Sequence, residues 1–93
     1  MNEHEHEAEF AKWLKKHGHD SERLLLPNVR GFPDRTVWLA NGQTIYVEMK
    51  KPGGRLTIHQ KRWKDRLECT KQTWASCWSS DEAIELVEGI LDV

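Results

Sequence analysis

The sequence predicts an α/β domain: a small mixed β-sheet flanked by helices, in the order helix, three strands, helix, strand, helix. Three observations predict it. Two alternating apolar runs, Thr36 to Leu39 and Thr44 to Met49, flank Asn41-Gly42, a dipeptide that marks a tight hairpin because both residues tolerate positive φ. Thr57-x-x-Gln60 and Ser79-x-x-Glu82 each have the form of a capping box opening a helix. Between those two helices, Thr73 to Trp78 reads as a strand.

In chain order, the first helix is expected from about Glu3 to Lys16, with Phe10, Trp13 and Leu14 on its apolar stripe and His17-Gly18 ending it. Glu7 lies three residues before Phe10 and seven before Leu14, so it points toward the sheet, and an acid on that side of a helix needs a partner. His4 and His6, among glutamates in the first turn, are expected to be frayed and solvated. Arg23 to Leu26 reads as a short strand that Pro27 ends or sends to an edge. Arg30-Gly31-Phe32-Pro33 leads into the hairpin. Gly31 suggests a tight turn or a close approach, and Pro33 sets an extended entry that aims Asp34.

The hairpin's register follows from parity. Val37 and Leu39 in the first strand and Ile45, Val47 and Met49 in the second are all odd-numbered, so one apolar face requires partners of equal parity. A two-residue loop would pair Ala40 with Gln43 and break that match. A three-residue loop, with Gly42 in the left-handed region, pairs Leu39 with Gln43 and places Asp34 opposite Glu48, with Lys50 one step along the same face. Cross-strand Cβ atoms lie roughly 5 Å apart, close enough for two carboxylates to share a divalent cation. Oxygen ligands without a nearby thiolate point to Mg²⁺ or Mn²⁺. The Lys50 ammonium is placed to neutralise a phosphate oxygen and to orient or deprotonate an attacking water.

Pro33-Asp34 followed by Glu48-Met49-Lys50 resembles the PD-(D/E)XK nuclease motif. The longer string Gly31-Phe32-Pro33-Asp34-Arg35, Val47-Glu48-Met49-Lys50 and Pro52-Gly53-Gly54-Arg55-Leu56-Thr57-x-x-Gln60 is similar to the VRR-NUC domain, and the resemblance runs over nearly the whole chain. It implies a restriction-endonuclease-like core and a metal-dependent endonuclease acting on DNA. It also implies a further metal-ligating acid from the first helix, best matched by Glu7 with Glu3 second, and a place for Gln60 in the active site. The Met49 backbone carbonyl is expected to complete the metal shell. Free-standing domains of this kind resemble phage or bacterial enzymes that cut branched DNA, such as Holliday junctions, as homodimers. The rivals are a nonspecific or flap-directed nuclease and a noncatalytic DNA-binding module of the same fold.

The remaining residues fit one domain over residues 1–93. A net charge of −1 disfavours blanket electrostatic DNA binding. The average hides a basic segment from Lys50 to Lys71, so Lys51, Arg55, Lys61 and Lys64, together with Arg30 and Arg35 beside the Pro33-Asp34 pair, are candidate DNA contacts. Thr57-x-x-Gln60 gives Gln60 a second, purely structural explanation as a helix cap, while its place on the face of Trp63 and Leu67 points it inward. The closing helix carries Ile84, Val87 and Leu91. Trp13, Trp63 and Trp74 fit apolar faces, and Trp38, on the face of Asp34, is expected to pack under the first helix rather than to border a substrate groove. Cys69 and Cys77 are too isolated for a zinc site or disulfide framework. No run reaches membrane-spanning length and no signal-peptide pattern is present, so a cytoplasmic protein of a bacterium or phage-infected cell is the expectation.

Overall fold

A computed structural model describes residues 1–92. The elements are α1 (Glu3–Lys16), β1 (Asp20–Glu22), β2 (Arg35–Trp38), β3 (Thr44–Met49), α2 (Ile58–Cys69), β4 (Thr73–Cys77) and α3 (Ser80–Leu91). The four strands lie side by side in sequence order. β1, β2 and β3 pair antiparallel, whereas β4 runs parallel to β3, a pairing that needs a crossover and finds it in α2. The element order is the one the sequence predicts.

The hairpin register is also the expected one. Arg35 pairs with Val47, Val37 with Ile45 and Trp38 with Thr44. Leu39 N–H then donates to the Gln43 carbonyl at 2.8 Å, and Gly42, at φ +93°, donates back to the Leu39 carbonyl at 2.9 Å. This three-residue loop is what places the odd-numbered aliphatics together. Val37, Leu39, Ile45, Val47 and Met49 are all buried, and with Phe10, Leu14, Cys77, Ala83 and Val87 they form the core beneath α1 and α3.

Each helix is opened by a side chain that satisfies its first N–H groups. Asn2 and Glu5 form a capping box at α1, Thr57 and Gln60 form another at α2, and Ser79 accepts from Glu82 N–H at α3. α2 covers the opposite face of the sheet. There Phe32 stands edge-on to both Tyr46 and Trp63, with ring centroids 6.0 and 4.8 Å away.

Four expectations need correction. The first strand is not Arg23 to Leu26 but Asp20–Glu22, whose buried side chain is Ser21. The leucine run that suggested a strand lies in the loop after it, with Leu25 almost fully exposed, because Arg23 turns toward two carboxylates instead of a strand partner. Trp38 does not pack under α1: it is 39% exposed on the even-numbered face, which α1 does not cover. Of the residues expected to pack α3, Leu91 is exposed, while Val87 is buried and Ile84 packs against the core, joined by Ala83, Leu86 and Ile90. His6 is engaged rather than frayed: its Nδ1 accepts from Ser80 N–H at 3.1 Å, and its ring meets Trp78, tying α1 to the start of α3. Among the described residues, no helix is long and apolar enough to cross a membrane.

Candidate active site

Asp34 sits one residue before β2, at the mouth of the hairpin. Its position is set from two directions. Gly31 has φ +79°, and a Cβ there would fall 2.3 Å from the His59 carbonyl carbon and 2.5 Å from Gln60 N, so only glycine lets this loop press against the opening turn of α2. The close approach foreshadowed by Gly31 is therefore to the protein's own backbone. From the other side, Met49 N–H donates to Asp34 Oδ2 at 2.7 Å, fastening the carboxylate to β3 immediately beyond Glu48.

Glu48 is 1% exposed, and its Oε2 has no hydrogen-bond partner. Burial, followed by the neighbouring Asp34 carboxylate, pushes its carboxyl up to about 9, while Lys50 and Arg23 pull the other way without prevailing. A buried carboxylate with an unmatched oxygen beside a second carboxylate is an arrangement short of positive charge. The donors are all hard oxygens, so the charge that fits is a hard divalent cation. Lys50 follows at the end of β3, where its N–H donates to the Cys77 carbonyl at 2.9 Å. Its half-buried side chain carries the positive charge that acts on Glu48.

Glu7 is elsewhere engaged. It is buried, as its place on α1 predicts, and both of its oxygens are taken: Oε1 accepts from Arg23 Nη2, and Oε2 from Arg35 Nε at 3.1 Å. Arg35 also donates to Ser21 Oγ at 3.0 Å. Among the described residues, no three His, Cys, Asp or Glu side chains gather as a metal-binding group, so Glu7 does not stand with Asp34 and Glu48 as a third ligand here. Glu3, the second candidate, accepts from Lys51 N–H at 3.2 Å.

Arg23 links the two regions. It reaches from Glu7 to Asp34, with Nη1 3.5 Å from Asp34 Oδ1. The sequence reading placed this residue in a strand and missed it; the available signal was the buried acid at Glu7, which demanded a cation within reach. Arg35, proposed above as a DNA contact, is corrected by the same network. It lies on the core side of the sheet with a side chain 16% exposed, bound to Glu7, because an odd-numbered residue of β2 points toward α1.

Gln60 is half-buried at the first turn of α2. Its Oε1 accepts from Thr57 N–H at 2.8 Å, and its N–H donates to Thr57 Oγ1, so the capping function is met in full. Its side-chain amide NH₂ group is not used by that pairing. Lys51, Arg55 and Lys61 are exposed, and Lys64 lies over the Trp74 ring at 5.2 Å. Arg30 is exposed on the loop that precedes Asp34.

Comparison with known proteins agrees with this geometry. Residues 1–81 match the VRR-NUC domain family. The chain is 39% identical over 61 residues to "Putative nuclease p44" of Acyrthosiphon pisum secondary endosymbiont phage 1, an alignment spanning 66% of each chain, just under two thirds of that relative's length. A solved structure described as a VRR_NUC domain superposes with a TM-score of 0.84 at 20% identity, covering 95% of this chain and 97% of the other, and so shares its fold. The matched region includes the loop that presents Asp34, the strand that carries Glu48 and Lys50, and the capped helix that begins at Ile58. The chain therefore belongs to the VRR-NUC family of nuclease domains.

Proposed function

We propose that this domain is a metal-dependent endonuclease that hydrolyses DNA phosphodiester bonds, with Asp34 and Glu48 holding Mg²⁺ or Mn²⁺. The observation that carries the reading is the unpartnered, buried Oε2 of Glu48 beside an Asp34 carboxylate that accepts from Met49 N–H. When bound, the cation would polarise the scissile phosphate and lower the pKa of an attacking water. The chain's own groups supply the rest. Asp34 is oriented by Met49 N–H, so its other oxygen is presented in a fixed direction. Lys50 places an ammonium beside the acids, where it balances charge building up on the phosphate and orients the water. Gln60 keeps its amide NH₂ group available to position a water or phosphate oxygen while its carbonyl caps α2. The Met49 carbonyl belongs to the same strand end and is proposed as a further oxygen ligand. Glu7 acts as a ligand only if its pairing with Arg23 and Arg35 is exchanged for the metal.

The substrate we propose is branched DNA, cut by a homodimer. The phage relative named as a nuclease supports nuclease activity. A two-fold pair of sites would let so small a domain cut both strands. The test is cleavage of a labelled four-way junction and a matching linear duplex with Mg²⁺, Mn²⁺ or EDTA, using the natural protein and Lys50→Ala. Junction-confined cutting that requires both metal and Lys50 is expected. Equal cutting of both DNAs would remove the junction specificity, and absence of cutting with binding intact would replace the enzyme by a DNA-binding module.

A further inference from the structure

On α2, His59, Arg62, Trp63 and Arg66 follow the spacing i, i+3, i+4, i+7, the stripe that a packed helix ordinarily fills with apolar residues. Here the stripe is largely cationic, and it faces the loop carrying Asn28, Val29 and Arg30 across a cleft of about 260 Å³. Among the described residues, no carboxylate lines that cleft. Among the described residues, the only ion pairs are those of Arg23 and Arg35, so Arg30, Arg62 and Arg66 have no acidic partner. Three guanidinium groups held around one cleft repel each other unless an anion joins them. The loop turns at Asn28, at φ 60°, and approaches α2 closely at Gly31, where a Cβ would meet the His59 backbone. Arg66 lies 4.0 Å from the centroid of the Trp63 ring, a stacking that orients the guanidinium plane and leaves its edge to donate.

We propose that this cleft is a phosphate-binding site, built by Arg30, Arg62 and Arg66 with His59, that grips the DNA backbone at a phosphate flanking the scissile one. The proposal rests on the nuclease reading and extends it by naming where the substrate is held. Asp34 is four positions after Arg30, a Cα span of at most about 14 Å in extended chain. The gripped phosphate therefore lies close along the backbone to the one that is cut. Guanidinium forks suit this task because each can give two parallel hydrogen bonds to a phosphate.

The experiment is the salt dependence of binding to a linear duplex, followed by fluorescence anisotropy in EDTA so that no cutting intervenes. Arg62→Gln/Arg66→Gln is compared with the natural protein, with Arg62→Lys/Arg66→Lys, and with Lys15→Gln/Lys16→Gln, which removes two exposed charges from the last turn of α1. Each lost phosphate contact flattens the slope of log K against log[salt] by about 0.9. The glutamine pair in the cleft should therefore flatten it by about 2, reducing the loss of affinity between 50 and 200 mM salt by about tenfold. The lysine pair should keep most of the natural slope, and the α1 pair should leave it nearly unchanged. An unchanged slope in the cleft variant, or an equal flattening from the α1 variant, would overturn the proposal. Displacement of DNA by millimolar inorganic phosphate that is stronger for the natural protein than for the cleft variant is also expected, since phosphate and DNA would then compete for the same arginines, and equal displacement from both would overturn the proposal. Failure of the nuclease reading registers separately, as absence of cutting by the natural protein.

Discussion

Among the described residues two glutamates are buried, and they are treated in opposite ways. Glu7, on the core-facing side of α1, has a guanidinium on each oxygen, from Arg23 and from Arg35. Glu48, on the face of the sheet that carries Asp34, has an oxygen with no partner and a carboxyl pushed up to about 9. The protein plainly has the means to neutralise a buried acid, since it does so with two arginines a short distance away. That it leaves Glu48 without such a partner is what the proposed metal site would account for. On the proposed function, the contrast separates an acid that holds the structure together from one that would hold a metal.

The sharpest way to break this contrast is Glu48→Gln. Activity should fall by about a thousandfold, the scale of losing a principal electrostatic group at a reacting centre. In EDTA the same variant should fold at least as well as the natural protein, because an amide replaces a carboxyl that the fold keeps protonated. The sign in pH follows from the raised value. An unfolded Glu48 loses its proton near 4.5 and the folded one near 9, so between those values the native state binds the extra proton and metal-free stability falls as pH rises. Thermal melts in EDTA from pH 5 to 9 should show Glu48→Gln gaining on the natural protein as pH increases. A parallel pair of curves would show that Glu48 is already charged in the folded state and sink the argument for a missing cation.

Glu7→Gln should do the reverse. It leaves Arg35, 16% exposed, without its counter-charge, and Arg23 without its main partner. Breaking a buried pair from one side costs about 3 to 5 kcal/mol, and solvent screening of the half-exposed Arg23 brings the expectation here to about 2 to 3 kcal/mol. Chemical denaturation would read it. If stability is unchanged while cleavage is lost, Glu7 belongs with Asp34 and Glu48 as a ligand, and the contrast between the two glutamates collapses.

Arg23 spans the two regions and so tests whether they are coupled. It lends positive charge to Asp34 in the protein without metal, which places it in competition with a divalent cation for the same carboxylate. Arg23→Gln should tighten binding of Ca²⁺, a non-reactive probe, by several-fold in calorimetry, for a stability cost of about 1 kcal/mol. Weaker Ca²⁺ binding would mean instead that Arg23 organises the acids for the metal rather than substituting for it.

Much of this is legible in the sequence alone. The Asp34 to Lys50 hairpin could be read because period-two alternation and a turn dipeptide constrain register almost completely: a slip by one residue would have exposed Val37, Leu39, Ile45, Val47 and Met49 together. The helix starts were legible because capping is local chemistry. β1 was not, because three polar residues, Asp20 to Glu22, form a strand only by virtue of pairing with Trp38, Val37 and Thr36, a relation invisible in the strand itself. Arg23 and Arg35 escaped for a related reason. Spacing shows that Glu7 faces inward, but which cation meets it depends on how the loop after β1 returns past the sheet edge. The arginine stripe on α2 was visible only as charge density, and its meaning needed the loop at Arg30 to be brought across from it.

Gln60 is where a single residue carries both kinds of role, and the smallest effect is the one that divides them. Its carbonyl oxygen caps α2 by accepting from Thr57 N–H, while Thr57 Oγ1 accepts from Gln60 N–H in return. Thr57→Ala removes that second bond and should cost about 1 kcal/mol, leaving the Gln60 side chain in place. Gln60→Ala should cost a similar amount by losing the reciprocal bond. Two variants matched in stability but not in chemistry make the comparison clean. If Gln60 only caps the helix, both should cleave at the natural rate once corrected for folded fraction. If its amide reaches the water or the phosphate, Gln60→Ala alone should lose about tenfold or more in kcat with little change in KM, because the interaction would be made chiefly in the transition state.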